Sequence, residues 1–234
     1  MNIPDFLKSK INAGKMVLTE FESKELLKEI KIAVPAQELT KTKEETVKTA
    51  KKIGFPVVLK LMAEDIVHKS DTGAVKLNIK SEDETSKAYD DLMKIASKAE
   101  KKISVQKMAG PPITEIIIGM TTDPQFGPAL MFGIGGILVE LLEDVAFRIA
   151  PVTEYDCREM INEIKGFPIL NGFRGKPKAD INAIVDVLMK ISDLVVKYEE
   201  IYEMDLNPIF IYEKGLICVD ARIILKKNES FSKF

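Results

Sequence analysis

The sequence predicts an α+β protein of two lobes around a cleft, and three observations carry that prediction. Polar capping signals alternate with β-branched, strand-length runs through the first half of the chain. From Ile103 onward strands instead follow one another directly, at Ile103–Met108, Thr114–Met120 and Pro128–Phe132, which reads as an antiparallel sheet. The length of 234 residues, 46% hydrophobic and 30% charged, suits one large domain or two smaller ones and excludes disorder and coiled coil. Thirty-four basic residues against 36 acidic ones leave a net charge of -2, so no whole-chain field draws this protein to nucleic acid or to an anionic membrane.

Residues 1–17 mix Asp5, Lys8, Lys10 and Lys15 among apolar neighbours, lack the apolar core of a signal peptide, and read as an N-terminal extension. The first helix is expected from the capping box Thr19-Glu20-Phe21-Glu22, with Phe21, Leu26, Leu27 and Ile30 at helical spacing. After Val34-Pro35 a short extended piece leads to a second box, Thr42-Lys43-Glu44-Glu45, whose helix runs towards Lys52 and stops at Gly54. Pro56–Leu61 is a continuous apolar run of the kind covered on both faces, with Lys60 near its end. A polar loop follows from Glu64 to Gly73, then a strand from Ala74 to Ile79, then a helix capped at Ser81 and reaching Lys101. That closes a first lobe at 18–102. The second lobe, 103–234, adds helices at Thr153–Ile164 and Asp180–Tyr198 and a hairpin around Glu213-Lys214-Gly215.

The hairpin carries the densest chemistry. Period-two alternation places Glu203, Asp205 and Asn207 on one face and Met204 and Leu206 on the other. A two-residue turn at Glu213-Lys214 sets Asp220 opposite Asn207; a three-residue turn shifts the register by one and requires a bulge near Pro208 to restore it. Hard oxygen donors without His or Cys suit Mg²⁺ on nucleotide phosphates better than zinc; the alternative is an acidic solvent face. Lys60 is either a snorkelling surface lysine or a cleft lysine against phosphates. His68, the single histidine, excludes two-histidine zinc sites within one chain. In a polar loop it is a candidate nucleophile for a phosphoryl group. Asp71-Thr72-Gly73 is not an aspartic-protease site, which needs two such loops in all-β lobes. Gly133-Ile134-Gly135-Gly136 lacks the dinucleotide spacing and reads first as a turn needing positive φ, with Glu140, Glu143 and Asp144 beyond it as solvated charges. Gln106-Lys107-Met108 ends a strand where a hinge backbone can meet an adenine edge. Cys157 and Cys218 form neither a disulfide framework nor a metal pair, which fits a reducing compartment, the cytoplasm by default.

Val57-Val58-Leu59-Lys60, His68-Lys69-Ser70-Asp71-Thr72-Gly73-Ala74-Val75, Asp123-Pro124-Gln125-Phe126-Gly127-Pro128, Phe132-Gly133-Ile134-Gly135-Gly136 and Asp205-Leu206-Asn207-Pro208 occur in the order found in one family. The chain, from about Leu18 to Ile224, resembles the β subunit of ADP-forming acyl-CoA synthetase (acetate:CoA ligase, ADP-forming). That is an ATP-grasp protein related to the succinyl-CoA synthetase β subunit. It departs from the family's Asp-x-Gly-Gly-Val loop in having Ala74 at the second glycine. The resemblance implies an ATP-grasp fold whose two lobes grip ATP or ADP, Mg²⁺ as metal, and a CoA-binding α subunit as partner in a hetero-oligomer of α2β2 form. It also implies site residues. Lys60 matches the lysine on the phosphates, Gln106, Lys107 and Met108 the adenine hinge, and Glu115 the acidic residue near the nucleotide. Asn207 and Asp220 match the metal ligands, Asp205 the carboxylate that steadies a phosphohistidine, and His68 the histidine phosphorylated in transit. A stand-alone ATP-grasp carboxylate ligase and a non-catalytic nucleotide-sensing module are the alternatives.

Overall fold

The computed structural model describes residues 1–63, 73–136, 143–175 and 177–226. The expected loop from Glu64, with His68, Lys69, Ser70, Asp71 and Thr72, and the position of Glu140 lie outside them.

The chain divides into two compact units, Pro35–Gly110 and a larger one made of Met1–Val34 with Pro111–Phe234. This corrects the expected boundary at 102/103 and the reading of 1–17 as a mere extension. The reason lies in the pairing. Strand β4 (Lys102–Lys107) joins β1 (Gln37–Thr40) and β2 (Val57–Met62), and with β3 (Val75–Ile79) they form an antiparallel sheet ordered β1-β4-β2-β3. The amino-terminal residues instead serve the other unit. Helix α1 (Ile3–Asn12), unforeseen, is capped by Asn2, and its Leu7 is buried in the larger core. Its Ile3, Phe6, Leu7 and Ile11 do carry helical spacing. Helix α2 (Glu20–Glu29) starts at the expected Thr19 box and buries Leu26 and Leu27 in that core, while Val17 bridges to Ile224.

In the smaller unit, helix α3 (Lys43–Ile53) begins at the Thr42 box and ends on Gly54, as its sequence signals require. Helix α4 (Glu82–Met93) stops well short of Lys101. The Lys101 ammonium returns to donate to the carbonyls of Met93 and Ile95, at 2.6 and 3.2 Å, satisfying the helix end. Both helices pack on one face of the sheet, where Val57, Leu59 and Leu61 meet Ala50, Ala88 and Leu92.

The larger unit is built on β5 (Thr114–Asp123), β6 (Gly127–Ile134), β7 (Val145–Ile149), β8 (Ile201–Ile211), β9 (Leu216–Cys218) and β10 (Arg222–Leu225), with the order β10-β8-β5-β6-β7 and β9 also on β8. Strand β7 and the short helix α6 (Phe167–Leu170) were not anticipated. Helices α5 (Glu154–Glu163) and α7 (Ile181–Lys197) cover one face, over Met120, Leu130, Phe132, Met204 and Leu206. Asp180 caps α7 through Ala183 N–H and also accepts from Gly215 N–H at 2.8 Å, fixing the hairpin tip to the helix start. No helix among the described residues is long and apolar enough to cross a membrane.

Candidate functional site

The site residues fall on two sheet faces, one in each unit. In the smaller unit, alternation along β2 turns Val58, Lys60 and Met62 away from the α3/α4 core. Lys60 pairs with Ser104 on one side and Val75 on the other; Val58 pairs with Gln106. Lys60, Ser104 and Gln106 therefore share a face, and all three are buried, with Lys60 at 5% exposure. The snorkelling alternative for Lys60 fails on that number. Gln106 Nε2 donates to Ser104 Oγ at 3.0 Å. Ser104 is a member of this row that sequence reasoning missed, although its period-two relation to Gln106 was there to be read.

The hinge residues are partly committed elsewhere. Lys107 N–H donates to Ala36 O at 2.8 Å and Met108 N–H to Pro56 O at 3.2 Å. The Lys107 ammonium donates to the carbonyls of Gly54 and Phe55, at 2.8 and 3.0 Å, closing the end of α3. The Lys107 side chain thus holds a helix terminus, and the expected adenine contact there is one of its backbone.

In the larger unit, β8 shows the expected alternation: Met204 and Leu206 are buried, Glu203 and Asp205 half-buried and Asn207 exposed. The two-residue turn is the one observed, with Tyr212 N–H donating to Gly215 O and Ile211 paired with Leu216. A bulge is present as well, but against β5 rather than β9. Ile118 pairs with Leu206 and Ile116 with Ile209, so Asn207 and Pro208 together oppose Ile117. Beyond the turn the return strand breaks between β9 and β10, where Val219 and Asp220 N–H both reach Pro208 O, at 2.9 and 3.4 Å. The pairs Ile209↔Cys218 before the break and Asp205↔Arg222 after it keep one offset, and that offset places Asp220 opposite Asn207.

The electrostatics agree with this clustering. Burial pushes the Asp205 carboxyl above the usual range, Asp220 pushes it further, Arg222 opposes them, and Glu203 adds to the rise. An amide oxygen and a carboxylate at opposed ladder positions beside a second carboxylate are donors of the kind Mg²⁺ takes, an ion that keeps waters and draws further ligands from phosphate. Among the described residues no group of three or more His, Cys, Asp or Glu forms a self-sufficient metal cage. Arg222, directly across from Asp205, was not singled out from sequence, because only the register reveals it.

Glu115 lies on the same sheet face as Asp205, since odd-numbered positions of β5 up to Gly119 share it and Gly119 pairs with Asp205. The glycine turn closes over Glu115. Gly135 N–H donates to Glu115 O at 2.7 Å, and a Cβ at Gly135 would come within 3.1 Å of Glu115 Cβ. Gly136 takes a φ of 71°, so the turn reading of these glycines holds at that position. Asp144, expected as a solvated charge, is buried and accepts N–H groups of Lys165 and Gly166 at 2.7 and 2.6 Å. It is a structural clamp. Cys157 and Cys218 are free and buried, and burial pushes the Cys157 thiol up to about 11.

A family model described as an ATP-grasp domain matches residues 9–225. The chain is 50% identical over 220 residues to the acetate–CoA ligase [ADP-forming] II subunit beta of Pyrococcus furiosus, covering 91% of this chain and 93% of that protein. It is 45% identical over 216 residues to acetate–CoA ligase [ADP-forming] II of Archaeoglobus fulgidus, covering 92% of this chain and 31% of that protein. Among solved structures it is similar to acetyl-coenzyme A synthetase 1 of Ca. Korarchaeum cryptofilum in complex with coenzyme A and Mg-AMPPCP, whose phosphohistidine segment points towards the nucleotide binding site. The TM-score is 0.86 at 45% identity, covering 95% of this chain and 99% of that one.

Proposed function

The chain belongs to the ATP-grasp family, among the β subunits of ADP-forming acetate–CoA ligase, and on that premise we propose that it is the nucleotide-handling subunit of such an enzyme. It moves a phosphoryl group between a histidine and ADP, so that acyl-CoA + ADP + phosphate gives acid + ATP + CoA. The observation that carries this reading is the common offset of β9 and β10, which brings Asp220 opposite Asn207 beside Asp205.

Asn207 and Asp220 would hold Mg²⁺, which when bound would neutralise phosphate charge and orient the nucleotide. Lys60, already desolvated, meets the phosphates as a fixed point charge. Gln106 and the carbonyls of Lys107 and Met108 face the base, the amides of the latter two being spent within the unit. Glu115 is the acidic residue near the nucleotide. His68 attacks the terminal phosphoryl group. Its imidazole nitrogen forms the new N–P bond as the P–O bond to ADP breaks, the electron pair leaving with ADP. Asp205, half-buried on β8, orients the imidazole. A CoA-binding α subunit completes the reaction in a hetero-oligomer of α2β2 form, in the cytoplasm.

Incubation with γ-labelled ATP and Mg²⁺ tests the reading. The expected result is an acid-labile, base-stable phosphate on this chain that disappears in His68→Ala while nucleotide binding persists. Absence of label on the wild-type chain, or full acyl-CoA synthesis by His68→Ala with the α subunit, overturns it.

A further inference from the structure

We propose that Arg222 is the residue of this chain that grips the phosphoryl group in transit, an assignment that rests on the phosphotransfer reading above. The register sets Arg222 directly opposite Asp205 across β10 and β8, so their Cα atoms are neighbours in the ladder. It also stands two residues beyond Asp220 on a chain that the same offset aligns with Asn207. A guanidinium so placed is normally consumed by the carboxylate across from it. Here Arg222 is exposed, and among the described residues it forms no ion pair within 4.0 Å.

The other arginines are all engaged: Arg148 with Glu163, Arg158 with Glu154, and Arg174 over the Phe173 ring. Arg222 is the arginine whose side chain is left to meet a ligand. On the same stretch of sheet Glu203, Asp205 and Asp220 raise a negative field that opposes any approaching phosphoryl dianion. Mg²⁺, which Asn207 and Asp220 would hold, would offset part of that field. The outer oxygens of the transferred group, next to Asp205, need a second cation, and a planar fork of donors matches them two at a time. A lysine there would supply charge without that geometry.

The ligand chemistry is therefore specific. Arg222 contacts the terminal phosphoryl group, whether still on ATP or on histidine, and not the α- or β-phosphate of ADP. Titration calorimetry with Mg·AMPPCP and Mg·ADP on the wild-type chain, Arg222→Ala and Arg222→Lys separates the possibilities. Arg222→Ala is expected to weaken Mg·AMPPCP roughly 10- to 100-fold while Mg·ADP stays within about 3-fold, with Arg222→Lys between. The rate of histidine labelling from γ-labelled ATP should fall in parallel and recover in part with added guanidinium ion. Equal weakening of both nucleotides, or unchanged affinity for both, overturns the Arg222 assignment and leaves the phosphotransfer reading standing. Failure of the wild-type chain to bind either nucleotide overturns both. Because Arg222 is exposed, thermal midpoints should agree among the three proteins, and a drop confined to Arg222→Ala would assign it a structural role instead.

Discussion

In the smaller unit Lys60, Ser104 and Gln106 stand on the sheet at 5% exposure or less, whereas in the larger unit Glu203, Asp205 and Asp220 are half-buried and Asn207 and Arg222 exposed. The two rows prepare for ligand in different ways. A buried lysine has lost its hydration during folding, so a phosphate meets it with little further reorganisation. On the proposed reading the second row would meet Mg²⁺, and groups that do so stay wet, because that ion surrenders its waters reluctantly and arrives with several of them. The first row is thus part of what holds its unit together. The second, on that reading, serves function with little return in stability.

The sharpest way to break this comparison is at the metal pair. Asn207→Ala and Asp220→Ala should each lower Mg²⁺-dependent nucleotide turnover by roughly 1,000-fold, about 4 kcal/mol of barrier, with no loss of thermal midpoint. Turnover near wild type in either variant would remove the pair from the chemistry. A midpoint that falls with turnover would show the open row to be structural after all.

A second test uses a carboxylate of the larger unit that is already engaged. Burial works against ionisation of Glu22. Hydrogen bonds from Lys10, from the backbone and hydroxyl of Thr19 and from Lys15 outweigh it and bring the carboxyl down to about 2. Its unfolded value lies near 4.3. Stability from this group is therefore complete above about pH 4.3 and disappears as pH falls through about 2. The amount is about 3 kcal/mol, and the measurement is urea unfolding of wild type and Glu22→Gln between those limits. The two curves should converge at the acid end; a constant gap would show that the amide loses something other than charge.

Lys60→Ala should do two things at once: weaken Mg·ADP by about 10-fold and cost about 1 to 3 kcal/mol of stability, because it empties the space of a buried side chain. A variant that binds poorly yet melts like wild type would place Lys60 with the open row. The smallest effect is expected at Ser104→Ala, about 1 kcal/mol from the lost Gln106 contact, read as a midpoint shift of about 2 to 4 °C.

Local signals made much of this legible. The Thr19, Thr42 and Thr153 boxes each start a helix, and alternation along β8 separated Asp205 and Asn207 from Met204 and Leu206. What escaped was non-local. Membership of β4 in the smaller sheet depends on pairing with β1 and β2, which no window of sequence displays. Arg222 becomes informative only once its offset against Asp205 is known. Asp144 looked like a solvated charge because its acceptor role is set by amides 21 and 22 residues away. Nothing local announces that the Lys107 ammonium closes α3, two strands and a helix earlier in the chain. Helix α1 is different: Ile3, Phe6, Leu7 and Ile11 carry its periodicity locally, with Asp5, Lys8 and Lys10 set between them.

The chain enters the smaller unit after Val34 and leaves it after Gly110, and this has a consequence for synthesis. Residues 35–110 are contiguous, so their unit can close as soon as β4 has left the ribosome. The larger unit must wait, because Val17 meets Ile224, 207 residues later. At common translation speeds that interval is about 10 to 40 s, during which Leu26 and Leu27 have no β10 to cover them. The first helices made are among the last to be housed, and it is there that a nascent chain of this protein would need a chaperone.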